Sequence, residues 1–206
     1  MIYEVCTYTL RPGTTPEVLQ RWGDAYAARE RHSRLAGFFR TEIGPLNELV
    51  AIWPYADLAE RARVREAAAA GAEWPPDLSA FVLNERVEIV TPFPFAPEWT
   101  PGHHGPIYEL RQYTFRPGTL AATMEAWRAA LPVRLQFSTP AVIGSVDIGP
   151  FANSFIHLWP YPSLAKRDEL RAAAAATPEW PPAGGRDRYL TQSNKILIPA
   201  PFSPAQ

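Results

Sequence analysis

Cysteine is almost absent from this sequence: Cys6 is the single one among 206 residues. That excludes an intramolecular disulfide and a cysteine-based zinc cage. Charge excess is also small, with a formal net charge of −1 at pH 7. Such a balance argues against an electrostatic nucleic-acid or membrane-surface binder. No apolar run reaches the roughly 18 residues of a bilayer-spanning helix, so no membrane insertion is expected. The opening segment MIYEVCTYTL has no basic flank, no long apolar run and no small-residue cleavage site. It does not read as a secretory signal, and the expected compartment is the cytoplasm. What remains is a composition of 47% hydrophobic and 20% charged residues, which excludes a disordered or collagen-like chain. Proline is high at 23 residues, and most of these prolines recur at repeated positions.

The chain repeats itself. Residues 2–14 read IYEVCTYTLRPGT and residues 107–119 read IYELRQYTFRPGT, with nine of thirteen positions identical at an offset of 105. Trp22 and Trp127, Arg29 and Arg134, and Ser33 and Ser138 continue the match. One insertion moves the offset to 106, where Trp53-Pro54-Tyr55 matches Trp159-Pro160-Tyr161 and Trp74-Pro75-Pro76 matches Trp180-Pro181-Pro182. A second insertion near Gly184-Gly185 gives 107 for the endings PFPFAP and PAPFSP. This period is too long for a solenoid unit and fits a duplicated domain. The division is residues 1–98 and 99–206, with a linker at about 92–106 that is rich in Pro, Gly and His.

One repeat reads as β-α-β-β-α-β, a ferredoxin-like split unit. Residues 2–10 alternate and are rich in Ile, Tyr, Val and Thr, as a strand requires. Arg11-Pro12-Gly13 is a turn, and Thr14-Thr15-Pro16-Glu17 opens a helix with a threonine cap and an early proline. Two strands follow over residues 35–43 and 48–53. Asp57 to Glu60 has the spacing of a capping box ahead of an alanine-rich helix that stops near Gly71. A last strand falls near residues 85–91. Pro132 predicts a kink or break in the first helix of the second repeat. Such a unit has helices on one sheet face, and its other face must be covered. Two copies in one chain can supply that cover, sheet against sheet, as a pseudo-twofold α+β barrel. The alternative is pairing between chains, so either a monomer with an internal pseudo-dimer or a homo-oligomer is expected.

The segments IYELRQYTFRPGT at 107–119, IHLWPY at 156–161 and the doubled Trp-Pro-Pro resemble the NIPSNAP family, within the dimeric α/β-barrel superfamily. The resemblance covers nearly all of both repeats and implies the same paired unit. It implies much less about activity: family members are mostly without assigned chemistry, and animal relatives are associated with mitochondria and protein interactions. The wider superfamily includes cofactor-free monooxygenases, haem-degrading enzymes and polyketide cyclases, with pockets between sheet and helices. That analogy raises the expectation of a small-molecule pocket only modestly.

Comparing the repeats locates candidate chemistry. Glu109, Arg111 and Tyr113 alternate on one face of a strand, and Phe155, His157 and Trp159 share a face on another. As candidate catalytic residues, Arg111 would hold a carboxylate or enolate oxygen and His157 would act as base or acid. Tyr113 would donate to a developing oxyanion, with Glu109 beside them. Trp127, Trp159 and Phe155 would flank a closed ligand pocket. The set suits proton transfer on an acidic or carbonyl-containing small molecule, with no cofactor and no metal. The first repeat has Cys6 at the place of Arg111 and Ala51 at that of His157, so one polar site is expected, in the second repeat, with the first as its structural partner.

Structural readings stand beside these. A Glu–Arg pair on a strand also serves as an ion pair tying sheet to sheet. His157 also fits a hydrogen-bonded core, the paired tryptophans fit core positions, and Cys6 fits a small apolar one. His103-His104 reads as a solvated turn, because adjacent histidines lack metal-pair spacing. Arg61, Arg63 and Arg65, beside Glu60 and Glu66, read as a solvated, salt-bridged helix face. The runner-up for the whole chain is a non-catalytic interaction or scaffold module. It would expose an apolar patch, made for example by Phe93, Phe95 and Phe202.

Overall fold

The structure is a computed structural model that describes residues 1–151 and 153–206. The first repeat contains β1 (Ile2–Leu10), α1 (Thr15–Glu30), β2 (Gly37–Ile43), β3 (Glu48–Tyr55), α2 (Leu58–Ala69) and β4 (Val82–Pro92). The second contains β5 (Ile107–Phe115), α3 (Leu120–Leu135), β6 (Val142–Ile148), β7 (Ser154–Tyr161), α4 (Leu164–Ala175), a short α5 (Gly185–Arg188) and β8 (Tyr189–Pro199). The order β-α-β-β-α-β holds in both, with α5 added in the second.

Local chemistry explains most boundaries. Thr14 does not cap α1 with its side chain; its hydroxyl donates to the Arg11 carbonyl at 2.7 Å and closes the Arg-Pro-Gly turn. Thr119 does the same to Arg116 at 2.8 Å. Gly13 and Gly118 hold φ of 82° and 80° in these turns, a conformation that costs glycine no Cβ clash. The Asp57 side chain does cap α2, accepting from Glu60 N at 2.8 Å, while the Glu60 carboxylate accepts from Ala56 N. α3 is not interrupted at Pro132 but runs through it to Leu135. Proline deletes one ladder bond there, and buried Trp127, Leu131 and Arg134 anchor that last stretch on the sheet.

The eight strands form one closed barrel in the order β1-β3-β2-β8-β5-β7-β6-β4. Its two seams, β2 with β8 and β4 with β6, join the repeats, so pairing occurs within the chain. The sheets meet edge to edge and curl, which removes every free edge. At the β4–β6 seam a Cβ on Gly144 would meet the Thr91 carbonyl at 2.4 Å, so the strands approach closely there only because it is glycine.

Strand alternation then sorts the side chains. Tyr3, Val5, Val50, Tyr108, Leu110, Ile156 and Leu158 fill the barrel. Glu4, Cys6, Tyr8, Glu109, Arg111 and Tyr113, one residue out of phase, lie on the outer wall beneath the helices. One barrel end is closed by chain segments: Trp99 and Ala205 belong to the interior core, and His104 N and Gly105 N donate to the Gln206 carbonyl at 2.6 and 3.0 Å. The expected phenylalanine patch is absorbed in packing. Phe93 is buried, Phe95 lies against it under Arg128, and Phe202 packs on Tyr26 and Phe38. Among the described residues no helix is long and apolar enough to cross a membrane.

Candidate functional site

The strand register brings all four expected polar residues of the second repeat together. β5 and β7 pair Glu109 with Trp159, Arg111 with His157 and Tyr113 with Phe155. α3 covers this wall with Trp127 and Arg134, and α4 adds Arg167 and Arg171. Glu109 is fully buried. Its Oε1 accepts from Arg111 Nη1 at 2.7 Å, Arg167 Nη2 at 2.6 Å and Asn194 Nδ2 at 2.8 Å, and its Oε2 from Arg171 at 3.4 Å. Arg111 Nε also donates to the Tyr113 hydroxyl at 2.7 Å. Burial pushes the Glu109 carboxyl up, but the Arg167 hydrogen bond and the charges of Arg111, Arg171 and Arg167 outweigh it and hold the group below the usual carboxylate range. The ion cluster ties the sheet to α4, not sheet to sheet as the strand pattern suggests.

His157 occupies the place expected for a pocket. Its ring lies 4.9 Å from Trp127 and 6.0 Å from Trp159, centroid to centroid, with Tyr113 edge-on at 4.8 Å. The Trp159 indole N–H donates to its Nδ1 at 2.6 Å, which assigns the proton of the neutral ring to Nε2. Burial first, then the charges of Arg111, Arg171 and Arg134, hold the imidazole well below its usual pKa, so it is neutral. Nε2 has no partner among the described residues and is a donor in this tautomer. The free edge therefore suits an acceptor atom, whereas the lone pair a base would use is engaged by the indole. Phe155 stacks on Phe115 at 4.7 Å and meets Trp127 edge-on at 4.9 Å. On this side an open groove of about 1020 Å³ runs along residues 181–192; its lining includes Tyr189 but not Glu109, Arg111, Tyr113 or His157.

A smaller, half-open pocket lies in the outer wall of the first repeat instead. About 370 Å³ is bounded by Tyr8, Trp22, Trp53, Trp74, Arg65 and Val82, with Glu4 and Glu85 also on its wall. The repeat offsets explain it. Val82 stands for Tyr189, Cys6 for Arg111, Ala51 for His157 and Leu49 for Phe155, each a smaller side chain. Trp22, Ala51 and Trp53 share one packed cluster, with the two indole rings 6.4 Å apart. The remaining room stays open. Among the described residues, two polar atoms of this wall lack partners. Trp127 Nε1 donates to the Tyr189 hydroxyl at 3.4 Å, whereas Trp22 Nε1, opposite a valine, has no partner. Glu4 keeps its helix arginines, Arg61 Nε at 2.9 Å and Arg65 at 3.0 Å, both on Oε1, but its buried Oε2 is unpartnered.

The sequence profile of the NIPSNAP family matches residues 3–97 and 108–204. The chain belongs to the NIPSNAP family. Mouse NipSnap homolog 3B is 31% identical over 98% of this chain and 85% of its own length. Human NipSnap homolog 3A is 29% identical over 99% of this chain and 85% of its own. Among solved structures, a candidate monooxygenase from Lactobacillus acidophilus superposes with a TM-score of 0.68 at 10% identity, over 97% of this chain and 93% of that one. A second candidate monooxygenase, from Fusobacterium nucleatum, gives 0.65 at 10% identity over 97% of this chain and 92% of that one. At that identity the likeness establishes the two-repeat barrel fold and nothing finer.

Sequence reasoning missed several residues that make these NIPSNAP walls. Arg61 and Arg65 read as a solvated face salt-bridged along its own helix, yet both reach buried Glu4 on β1. The signal was present: Arg61 and Arg65 recur as Arg167 and Arg171 at the offset of 106, as Glu4 recurs as Glu109. Arg29 and Arg134 recur likewise. They are buried, lie 4.1 and 4.4 Å from the centroids of the Trp53 and Trp159 rings, and donate to the Tyr55 and Tyr161 hydroxyls. The importance of Val82 had no signal before the offset of 107 paired it with Tyr189.

Proposed function

We propose that this NIPSNAP chain is a small-molecule-binding barrel whose ligand occupies the outer-wall pocket of the first repeat. One observation carries the reading: two copies of the same wall differ in that the second fills itself with a phenol, an imidazole and a guanidinium, while the first leaves about 370 Å³ open. That volume is at the lower end of the roughly 300–1,000 Å³ of ligand pockets. Aromatic walls favour a flat ring, by offset or edge contacts. Trp22 Nε1 and Glu4 Oε2 are buried in this wall and unpartnered among the described residues, and a small side-chain shift on binding would turn the first to an acceptor and the second to a donor. Buried groups left unpaired cost about 1–3 kcal/mol each, so a ring carrying both a carbonyl-type acceptor and an N–H or O–H donor is favoured. Both pairing edges of each repeat are used within the chain, which supports a monomer as the working unit.

The test is a tryptophan-fluorescence titration with 4-hydroxybenzamide, preceded by native mass spectrometry of untagged protein for a retained ligand. Val82→Tyr rebuilds the Tyr189 arrangement and should weaken binding at least tenfold while leaving the melting temperature unchanged or higher. Unchanged binding by that variant would overturn the placement.

A second reading is favoured by the unpartnered His157 Nε2–H. In it, His157 and Arg111 together hold the oxygen of a carbonyl or carboxylate compound in the second repeat, with Tyr113 and Glu109 as their supports. Arg111→Ala should then abolish binding of a small carboxylate such as benzoate in folded protein. Binding that survives this change would exclude the second reading.

A further inference from the structure

The barrel interior is apolar at the end closed by Trp99 and polar at the other. Thr7, Glu48, Arg86, Glu88, Gln112 and Lys195 surround a cavity of about 180 Å³ there, with Pro45 and Phe151 at its rim. The charges fall into two separate groups. Glu88 faces Arg86 at 3.4 Å and accepts from Gln112 at 2.6 Å. Glu48 pairs with Lys195 alone, Nζ to Oε2 at 2.8 Å. The β2–β3 turn is laid directly on this lysine: a Cβ on Gly44, whose φ is 120°, would meet Lys195 Cβ at 2.8 Å.

The choice of residue is informative. The chain has eighteen arginines and two lysines, Lys166 and Lys195. Among the described residues, arginine supplies each cation that pairs with the buried carboxylates Glu4, Glu88 and Glu109, whereas half-buried Glu48 takes a lysine. A guanidinium stays charged in proteins, whereas an amine can lose its proton and become a nucleophile. The second repeat places Lys195 where the first has Glu88, so the amine serves no shared architecture.

We propose that Lys195 captures a small, uncharged carbonyl compound in this cavity as an imine, with Glu48 carrying the protons. The Nζ lone pair forms a C–N bond to the carbonyl carbon, and the carbonyl oxygen takes a proton, passed from nitrogen through Glu48. The resulting carbinolamine loses its hydroxyl as water, taking the second proton from nitrogen by the same route, and a C=N bond remains. No electron is gained or lost. Burial, against the opposing pull of Glu48, holds the amine below its usual pKa of 10.5 and raises the share of free amine. The cavity holds about six waters' worth of volume at roughly 30 Å³ each, so the guest has only a few heavy atoms. With the amine neutral, Glu48 and Glu88 outweigh Arg86, which disfavours an anionic guest.

The experiment incubates native protein with acetaldehyde and sodium cyanoborohydride at pH 7 and maps the alkylated amines by peptide mass spectrometry. Lys166, half-exposed on α4 and paired with Glu169 at 2.6 Å, is the internal control. Lys195 should be alkylated severalfold faster than Lys166, because the buried amine beside Glu48 holds its proton less tightly and lies at the cavity. Glyoxylate should show a smaller preference for Lys195 than acetaldehyde does. Glu48→Gln should slow the reaction at Lys195 and leave Lys166 unaffected. Were Glu48 only a structural counter-ion, its removal would free more amine and speed the reaction, and that result would overturn its role. Equal rates at the two lysines, or alkylation of Lys195 only after denaturation, would overturn the site.

Discussion

Glu109 and Glu4 occupy equivalent places, yet replacing each by glutamine should have unequal consequences. Glu109 is contacted by three arginines, and the side chains of Arg111, Arg167 and Arg171 are 14%, 18% and 37% exposed. Glu4 is contacted by two, Arg61 and Arg65, at 24% and 48%. Glu109→Gln leaves three guanidinium groups crowded around one neutral amide, two of them largely out of water. Breaking a buried pair in this way costs about 3–5 kcal/mol. After Glu4→Gln the two remaining cations are better solvated and water screens their mutual repulsion, so the loss should be about 1–2 kcal/mol. Urea unfolding followed by tryptophan fluorescence reads both, provided the slope of each transition is unchanged. A pH series adds a sign. The folded-state pKa of Glu109 is depressed, so its contribution is present above the ordinary value of 4.5 and is lost as pH falls through the folded value. Wild type and Glu109→Gln should therefore converge in acid. Equal losses for the two variants at pH 7, or a difference that persists in strong acid, would refute the account of the cluster.

Other consequences are equally direct. His157 is buried neutral, so below its ordinary pKa of 6.5 the unfolded chain binds a proton that the folded chain refuses. Stability should fall with pH there by up to about 1.4 kcal/mol per unit, and His157→Gln should remove that part of the slope in denaturation curves at pH 7.5 and 5.5. The Cys6 thiol is pushed far up, chiefly by burial and then by Glu4 and Glu85. It should resist a thiol reagent at pH 8 until urea unfolds the chain, which makes its labelling a direct count of unfolded molecules. Tyr189→Val should open a first-repeat-like space beside Trp127 at a cost of about 2–3 kcal/mol and add a second site in the 4-hydroxybenzamide titration. Gly144→Ala should strain the β4–β6 seam and lower the melting temperature of the whole barrel, since the new methyl meets the Thr91 carbonyl.

The duplication, the β-α-β-β-α-β order and the family were all legible in the sequence. Each rests on local patterns: alternation along Ile2–Leu10, the Arg-Pro-Gly turns, the Asp57 cap, and matches at offsets of 105 to 107. The gathering of Glu109, Arg111, Tyr113 and His157 was legible too, because alternation places the first three on one face of β5 and the β-α-β-β-α-β order sets β7, with His157, beside it. Three things waited for the tertiary structure. Whether the repeats pair within the chain depends on the β2–β8 and β4–β6 seams, which join residues far apart in sequence. The partners of Glu109 depend on α4 lying across β5, which brings Arg167 and Arg171 onto a carboxylate more than fifty residues away. The location of the open space was read in the opposite repeat. A list of residues shows which polar groups are present, and the second repeat is the richer one. A pocket, however, is what remains after packing, and the larger side chains of the second repeat fill their own wall while Val82, Cys6 and Ala51 leave the first one open.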